Sequence, residues 1–298
     1  MRASAGDASV VLALGAGGAR GLAQIGVIEV LQERGLRIEA VAGTSCGALV
    51  GGAFAAGKLG ELRDWMLRTG RNEMLRLLDP GWGRPAMFTG NRLVRTLRDV
   101  IGEPRIEDLP IDFTAVAVDL LRQREVWLRH GDLWNALRAS FAIPGIFTPL
   151  TLDGMELVDG GLLAPLPITA TRLAGPHRVV AVDIHGSTPQ RSDDPVRVVD
   201  ADAEPSPANP LGRWMEQHFG NSEETTRPTH RFGLMEVMSR ALDTMQERIA
   251  RVQMALEPPD LLIRIPRDAC QFYEFWRGAE LIEIGRSEAK KALDAAGY

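Results

Sequence analysis

Residues 39–51 read Glu-Ala-Val-Ala-Gly-Thr-Ser-Cys-Gly-Ala-Leu-Val-Gly. A short apolar strand runs into Gly43-Thr44-Ser45-Cys46-Gly47, and a run of small residues follows. A G-x-S-x-G between a strand and a helix is the pattern of a nucleophile elbow. The turn is sharp, so Gly43 and Gly47 stand where a Cβ would meet the neighbouring strand or helix. Ser45 is pushed outward with its hydroxyl exposed. The helix that starts there aims backbone N–H groups at any anion forming on a substrate. The feature points to acyl transfer through a covalent seryl ester.

Outward from the elbow, residues 10–14 form a continuous apolar run, as expected of a strand buried on both faces. A Gly-rich loop follows, then a helical pattern over 22–34 that Gly35 stops. Residues 38–42 read as the second strand and 45–56 as the second helix. The order strand, loop, helix, strand, elbow, helix predicts an α/β fold. Its sheet would be mostly parallel, with helices on both faces.

Further strands are predicted at 113–119, 125–129, 179–184 and 261–265. Helices are predicted at 132–139, 234–256 and 272–296. Residues 59–105 read as helical but broken by Pro and Gly at 80–85. Residues 151–156 read as a hairpin with Asp153-Gly154 in its turn. Residues 187–230 carry Pro189, Pro195, Pro205, Pro207, Pro210 and Pro228 with few apolar clusters. Strands and helices recur on both sides of that stretch. The expectation is one domain over 1–298 with a mobile Pro-rich insertion at 187–230.

A chain of 298 residues can bury a large core, and 45% hydrophobic with 24% charged residues is ordinary for a globular protein. The net charge of −5 makes no case for nucleic acid. Cys46 and Cys270 form no disulfide framework or metal-ligand spacing, which suits a reducing compartment. The first nine residues hold Arg2 and Asp7 without a long apolar core, unlike a secretory signal. Residues 41–57 have about the length of a membrane span. Thr44, Ser45 and the crowd of Gly and Ala make them a buried strand and helix instead. The expected location is the cytoplasm, with room for contact at the inner membrane surface. The oligomeric state is left open.

Gly15-Ala16-Gly17-Gly18-Ala19-Arg20-Gly21 joins the first strand to the first helix. Glycines there uncover backbone N–H groups that an anion can approach. One reading is a dinucleotide loop of a nucleotide-binding oxidoreductase, with Glu39 on the ribose. Arg20 then stands where the third Gly of that fingerprint should be. The other is an oxyanion hole with Gly17 and Gly18 as donors. Parallel neighbours end on the same sheet edge, which would bring this loop beside Ser45. A plain tight turn is the third reading. Gly52 to Lys58 mimics a phosphate loop, but Leu59 replaces the required Ser or Thr, and Gly57 reads better as a helix stop.

A serine nucleophile needs a base. His185, after the 179–184 strand, could complete a triad. His130, His177, His218 and His230 read as loop histidines. Asp159, in Leu157-Val158-Asp159-Gly160-Gly161, is either a turn residue capping local N–H groups or a desolvated carboxylate able to act as base. The apolar spacing at Leu234, Met238, Ala241/Leu242, Met245, Ile249, Val252 and Leu256 predicts a helix packed on the core. Cover for a lipid tail is its other reading. Segment 80–90, with Trp82, Pro85, Met87 and Phe88, reads as an exposed apolar loop suited to membrane or acyl-chain contact.

Four blocks occur in order: the Gly-rich loop with Arg20-Gly21, the elbow at 43–47, Ala139-Ser-Phe-Ala-Ile-Pro-Gly-Ile-Phe147, and Asp159-Gly160-Gly161. Together they resemble the patatin-like phospholipases, specifically the compact bacterial branch related to the catalytic part of neuropathy target esterase. The resemblance covers about 10–184 and returns around 258–266. It implies a three-layer sandwich and a Ser-Asp dyad without His. Ser45 would be the nucleophile, Asp159 the base, and Gly17, Gly18, Ala19 and Arg20 the oxyanion loop. Ala16 stands where the family's loop carries another glycine, and Cys46 where such elbows often carry Met. No metal or cofactor is implied. The implied substrate is a lipid or other fatty-acyl ester, hydrolysed in the manner of a phospholipase A or lysophospholipase. An acyl transferase or scaffold with the same motifs is the neighbouring alternative.

Overall fold

The computed structural model of the chain describes residues 9–81, 86–175, 177–186 and 234–298. The Pro-rich stretch 187–230, with His218 and His230, lies outside them, as do Trp82 and Pro85. Residues 1–188 with 239–298 make one compact unit. Residues 189–238 make a second, of which 234–238 are described.

Along the chain come β1 (Ser9–Leu14), α1 (Ala23–Glu33), β2 (Arg37–Thr44), α2 (Cys46–Ala55), α3 (Leu59–Arg68), α4 (Arg71–Arg76) and α5 (Asn91–Ile101). Then follow β3 (Asp112–Asp119), β4 (Arg124–Leu128), α6 (Leu133–Ser140), β5 (Leu150–Leu152), β6 (Met155–Asp159), α7 (Ile168–Thr171) and β7 (Arg178–Gly186). Last are α8 (Leu234–Leu256), β8 (Leu261–Pro266) and α9 (Gly278–Ala296).

The described strands form one sheet in the order β5-β6-β3-β2-β1-β7-β8, with β4 also paired to β3. From β3 to β8 the strands are parallel, while β4, β5 and β6 pair antiparallel. The expected mostly parallel sheet with helices on both faces is the observed one. Alternation along β1 shows how the two faces fill. Val10, Leu12 and Leu14 join the large core under α1, α2 and α9, while Ala13 points to the other side. There, Ala13 and Ala181 meet Leu166, Ile168 and Ala250, so alanines let α7 and α8 approach closely.

The β5–β6 hairpin turns as expected. Asp153 and Gly154 take φ of 50° and 71°, the two positive values a type I′ turn needs. Gly57, with φ 69°, ends α2, and the Lys58 amide bonds back to the Ala53 carbonyl at 2.7 Å. This is a helix stop, not a phosphate loop.

The last helix starts at Gly278, later than its expected start at 272. The preceding segment is used otherwise, because the Phe272 carbonyl accepts the Ala19 amide at 2.8 Å. Helices α1 and α9 cross in close contact. A Cβ on Gly285 would lie 1.8 Å from the Ala23 carbonyl oxygen, and one on Gly26 would lie 2.0 Å from that of Ile282. Gly285→Ala should therefore push two backbones apart and cost about 1–3 kcal/mol. A lowered urea midpoint with an unchanged m-value would register it; an unchanged midpoint would refute the close crossing.

Two expectations fail. Phe88 is not exposed. It is buried, its amide bonds to Ile146, and its ring lies 6.3 Å from that of Phe147. Arg138, itself buried, holds that loop by donating to the carbonyls of Thr89 and Thr148, both at 2.7 Å. Met87 is half-buried. The second fails only in part. Helix α8 packs on the core through Ala250 and Met254, while Met245, Val252 and Leu256 of its apolar spacing turn outward, 52%, 52% and 77% exposed.

Candidate active site

The register of β3 explains how the elbow and Asp159 come together. On one edge, Ala115 to Asp119 pair with β4. On the other edge, β2 pairs with β3 only as far as Thr44 opposite Val116, because the chain then leaves into the elbow. The freed edge is taken by β6, with Asp159 opposite Ala117. Ser45 and Asp159 thus follow one another along the same edge of one strand. The close fit has no spare room: a Cβ on Gly160 would lie 2.3 Å from the Val116 carbonyl oxygen.

The elbow itself is strained. Ser45 has φ 57° and ψ −124°, a conformation that costs on the order of 1–3 kcal/mol for a residue with a Cβ. Gly47 could not be larger, since a Cβ there would sit 2.3 Å from the Leu14 carbonyl oxygen. Gly43 is equally confined, with its Cβ position 2.5 Å from the Gly47 oxygen. Ala48 and Leu49 donate to the Ser45 carbonyl at 3.0 and 3.1 Å, so α2 starts directly on the strained residue.

One supporting residue carries no motif signal of its own. The Ser45 amide donates to Ser140 Oγ at 2.9 Å, and that hydroxyl donates to the Val116 carbonyl at 2.6 Å. The Asp159 amide donates to the Ala142 carbonyl at 3.0 Å. The block 139–147 therefore braces both members of the pair. Its place between the elbow and Asp159 was legible; that Ser140 bonds the elbow depends on α6 ending beside β3. Ser140→Ala leaves two buried backbone groups without partners, which costs about 1–3 kcal/mol. Turnover should fall with stability, and Ser140→Thr, which keeps the hydroxyl, should restore part of it. Wild-type rates in Ser140→Ala would show that the elbow holds itself.

Asp159 is buried, 3% exposed, and its carboxyl is pushed up to about 7. Burial is the dominant cause; the neighbouring Ser45 hydroxyl and the Gly161 amide pull the other way. Gly161 N–H donates to Asp159 Oδ1 at 2.7 Å. Both readings of Asp159 are therefore present: it caps a local amide and it is a desolvated carboxylate beside the serine. Cys46 is buried under the elbow and its thiol is pushed up to about 12 by burial, so it is no competing nucleophile.

Ser45, Asp159 and Gly17 line one cavity, together with Ile143, Ile146, Leu162 and Phe272 and with Ser239, Leu242, Asp243 and Gln246 of α8. Gly17 and Gly18 take φ of 152° and 59°, and Ala16 does not have a positive φ, so an alanine there is unstrained. The loop's amides are not equivalent. Gly15 donates to Val182, Ala16 to Pro165 and Ala19 to Phe272, at 3.2, 2.8 and 2.8 Å. The amides of Gly17 and Gly18 make no such bond among the described residues. Ala19, expected among the oxyanion donors, already has its amide engaged. The Arg20 side chain is engaged too, with Asp243 at 2.6 Å and the Arg267 carbonyl at 3.1 Å.

A Cβ on Gly18 would lie 2.4 Å from the Phe272 oxygen, so protein packs on the loop where a dinucleotide would need an open cradle. His185 does not line the cavity. It is buried between Asp183, 3.7 Å from Nδ1, and Asp243, 3.9 Å from Nε2. Among the described residues, no group of three His, Cys, Asp or Glu could hold a metal ion. No described helix is long and apolar enough to cross a membrane.

Residues 12–172 match the family model "Patatin-like phospholipase". An uncharacterized NTE family protein of Mycobacterium tuberculosis is 38% identical, over 96% of this chain and 91% of that protein. Human patatin-like phospholipase domain-containing protein 6 is 32% identical over 59% of this chain, which is 13% of the human protein. The crystal structure of VipD from Legionella pneumophila aligns with a TM-score of 0.46 at 13% identity, covering 97% of this chain and 67% of that one. With the matched model spanning the loop, the elbow and Asp159, the chain belongs to the patatin-like phospholipase family, on the branch of the NTE family proteins.

Proposed function

We propose that the protein is a serine acyl hydrolase acting on lipid esters through a Ser45–Asp159 dyad, in the manner of a phospholipase A or lysophospholipase. The observation that carries this reading is a buried carboxylate, raised to about 7, in one cavity with a serine held in strained geometry. A group with that proton affinity can take a proton at neutral pH and return it. Membership of a phospholipase family supports the lipid ester as substrate.

The reaction runs in two halves. Asp159 takes the Ser45 hydroxyl proton as Oγ bonds to the acyl carbonyl carbon. The carbonyl electrons move onto its oxygen, where the Gly17 and Gly18 amides donate to it. Collapse breaks the ester C–O bond, and the leaving alcohol receives the proton from Asp159. In the second half, water gives its proton to Asp159 and attacks the acyl-enzyme. Collapse returns the proton to Ser45 and releases the fatty acid.

A fluorophosphonate probe tests the nucleophile directly. It should modify the peptide containing Ser45 and leave Ser45→Ala unmodified. Labelling elsewhere, or ester turnover by Ser45→Ala near the wild-type rate, would refute the dyad.

A further inference from the structure

Helix α8 carries an apolar stripe on its outer face as well as apolar contacts on its inner one. Toward the cavity it turns Ser239, Asp243 and Gln246, with Leu242 the apolar exception. Away from the cavity it turns Ala241, Met245, Val252 and Leu256, all exposed. The spacing of these four, at i, i+4, i+11 and i+15, lays them along one stripe. A helix that folds only to cover a core puts its apolar stripe inward. An outward apolar stripe with no apolar partner among the described residues marks a surface suited to a second apolar environment.

The same helix closes the site. The cavity under it has about 20 Å³ of space, room for roughly one water, and Ser45 is 4% exposed. A fatty-acyl ester cannot enter while α8 stays in place. Two polar contacts hold α8 there, Asp243 to Arg20 at 2.6 Å and Gln253 to the Leu163 carbonyl at 3.2 Å, beside the apolar packing of Ala250 and Met254 on Leu166 and Ile168. Among its described side chains from 237 on, Ala250 is the buried one. Arg20 belongs to the Gly17–Gly18 loop, so release of Asp243 also reaches the oxyanion donors.

We propose that α8 is a strap whose outer face docks on a lipid surface bearing anionic headgroups, and that docking draws it off the Ser45 cavity. The charge pattern selects that surface. Arg248 and Arg251 flank the apolar stripe, and none of the exposed residues from 237 to 256 is an acid. An apolar stripe beside arginines is the arrangement that lies in an anionic bilayer interface. The proposal rests on the hydrolase reading, since it assumes a substrate drawn from that bilayer.

The test uses the full chain and a water-soluble fluorophosphonate, with vesicles of equal parts phosphatidylcholine and phosphatidylglycerol. Wild type should cosediment with these vesicles and label at Ser45 about tenfold faster in their presence. Met245→Glu/Val252→Glu changes two exposed side chains outside the cavity. It should label at the slow vesicle-free rate of wild type, show no acceleration, and stay in the supernatant. Equal wild-type rates with and without vesicles would overturn the proposal, as would acceleration of the double variant. Equal acceleration by phosphatidylcholine alone would overturn the anionic selection. A solution dimer that the double variant loses, without vesicle binding, would give the stripe to a second copy and overturn the lipid surface. If Ser45 never labels, the hydrolase reading fails, and cosedimentation still decides whether the face docks.

Discussion

Asp159→Asn is expected to cut turnover of a fatty-acyl ester by about 10⁴-fold or more, with little change in KM. The amide keeps the shape and can still accept the Gly161 amide bond, so the elbow and cavity stay assembled. What disappears is the desolvated carboxylate beside Ser45; the other carboxylate of the lining, Asp243, is paired with Arg20, and His185 does not line the cavity. Ser45→Ala should lose as much, and the double variant no more than either alone, as the proposed dyad requires of two groups acting as a unit.

The wild-type pH profile follows from the same carboxyl. Only the ionised form is a base, so kcat/KM should fall about tenfold per unit as pH drops below the Asp159 value near 7. Steady-state kinetics with a soluble ester from pH 5 to about 9 would show it. A flat profile across neutrality in wild type, or substantial activity in Asp159→Asn, would remove Asp159 from the reaction.

Much of this arrangement was legible in the chain because it is local. A strand, a Gly-x-Ser-x-Gly and a run of small residues specify the elbow, since each glycine marks a place where backbone meets backbone. The Asp-Gly of the β5–β6 turn specifies its own positive φ values in the same way. What a linear pattern could not show is where β6 lands. Asp159 reaches Ser45 because β2 leaves the edge of β3 at Thr44 and β6 takes it over. That is a register relation between segments 115 residues apart, and only the family resemblance hinted at it. Ser140 was hidden for a similar reason: its value lies in two backbone partners, Ser45 and Val116, far from it in sequence. Helix α8 misled differently. Its periodicity gave the helix correctly, but a period carries no sign: Ala250 and Met254 turn inward, while Met245, Val252 and Leu256 turn outward. Local rules break where a site has requirements of its own.

Asp159→Asn should also be more stable than wild type at pH 8, against its expected loss of activity. In the unfolded chain the Asp159 carboxyl titrates near 3.8, while in the folded protein burial raises it to about 7. Between these values the folded state binds the extra proton, so wild-type stability declines as pH rises from about 4 to 7. Above that window the folded protein carries an ionised, desolvated carboxylate, at a cost of up to about 4 kcal/mol relative to the unfolded chain. Asparagine is neutral throughout and avoids this cost. The advantage of Asp159→Asn should be largest at pH 8, shrink as pH falls through 7, and vanish near 4. Urea unfolding of both proteins across that range measures it. An advantage that does not change with pH would mean that Asp159 is not desolvated, and with it the basis for its proton affinity would go. If the advantage follows the predicted course, stability given up at neutral pH is what keeps a carboxylate basic enough to act on Ser45.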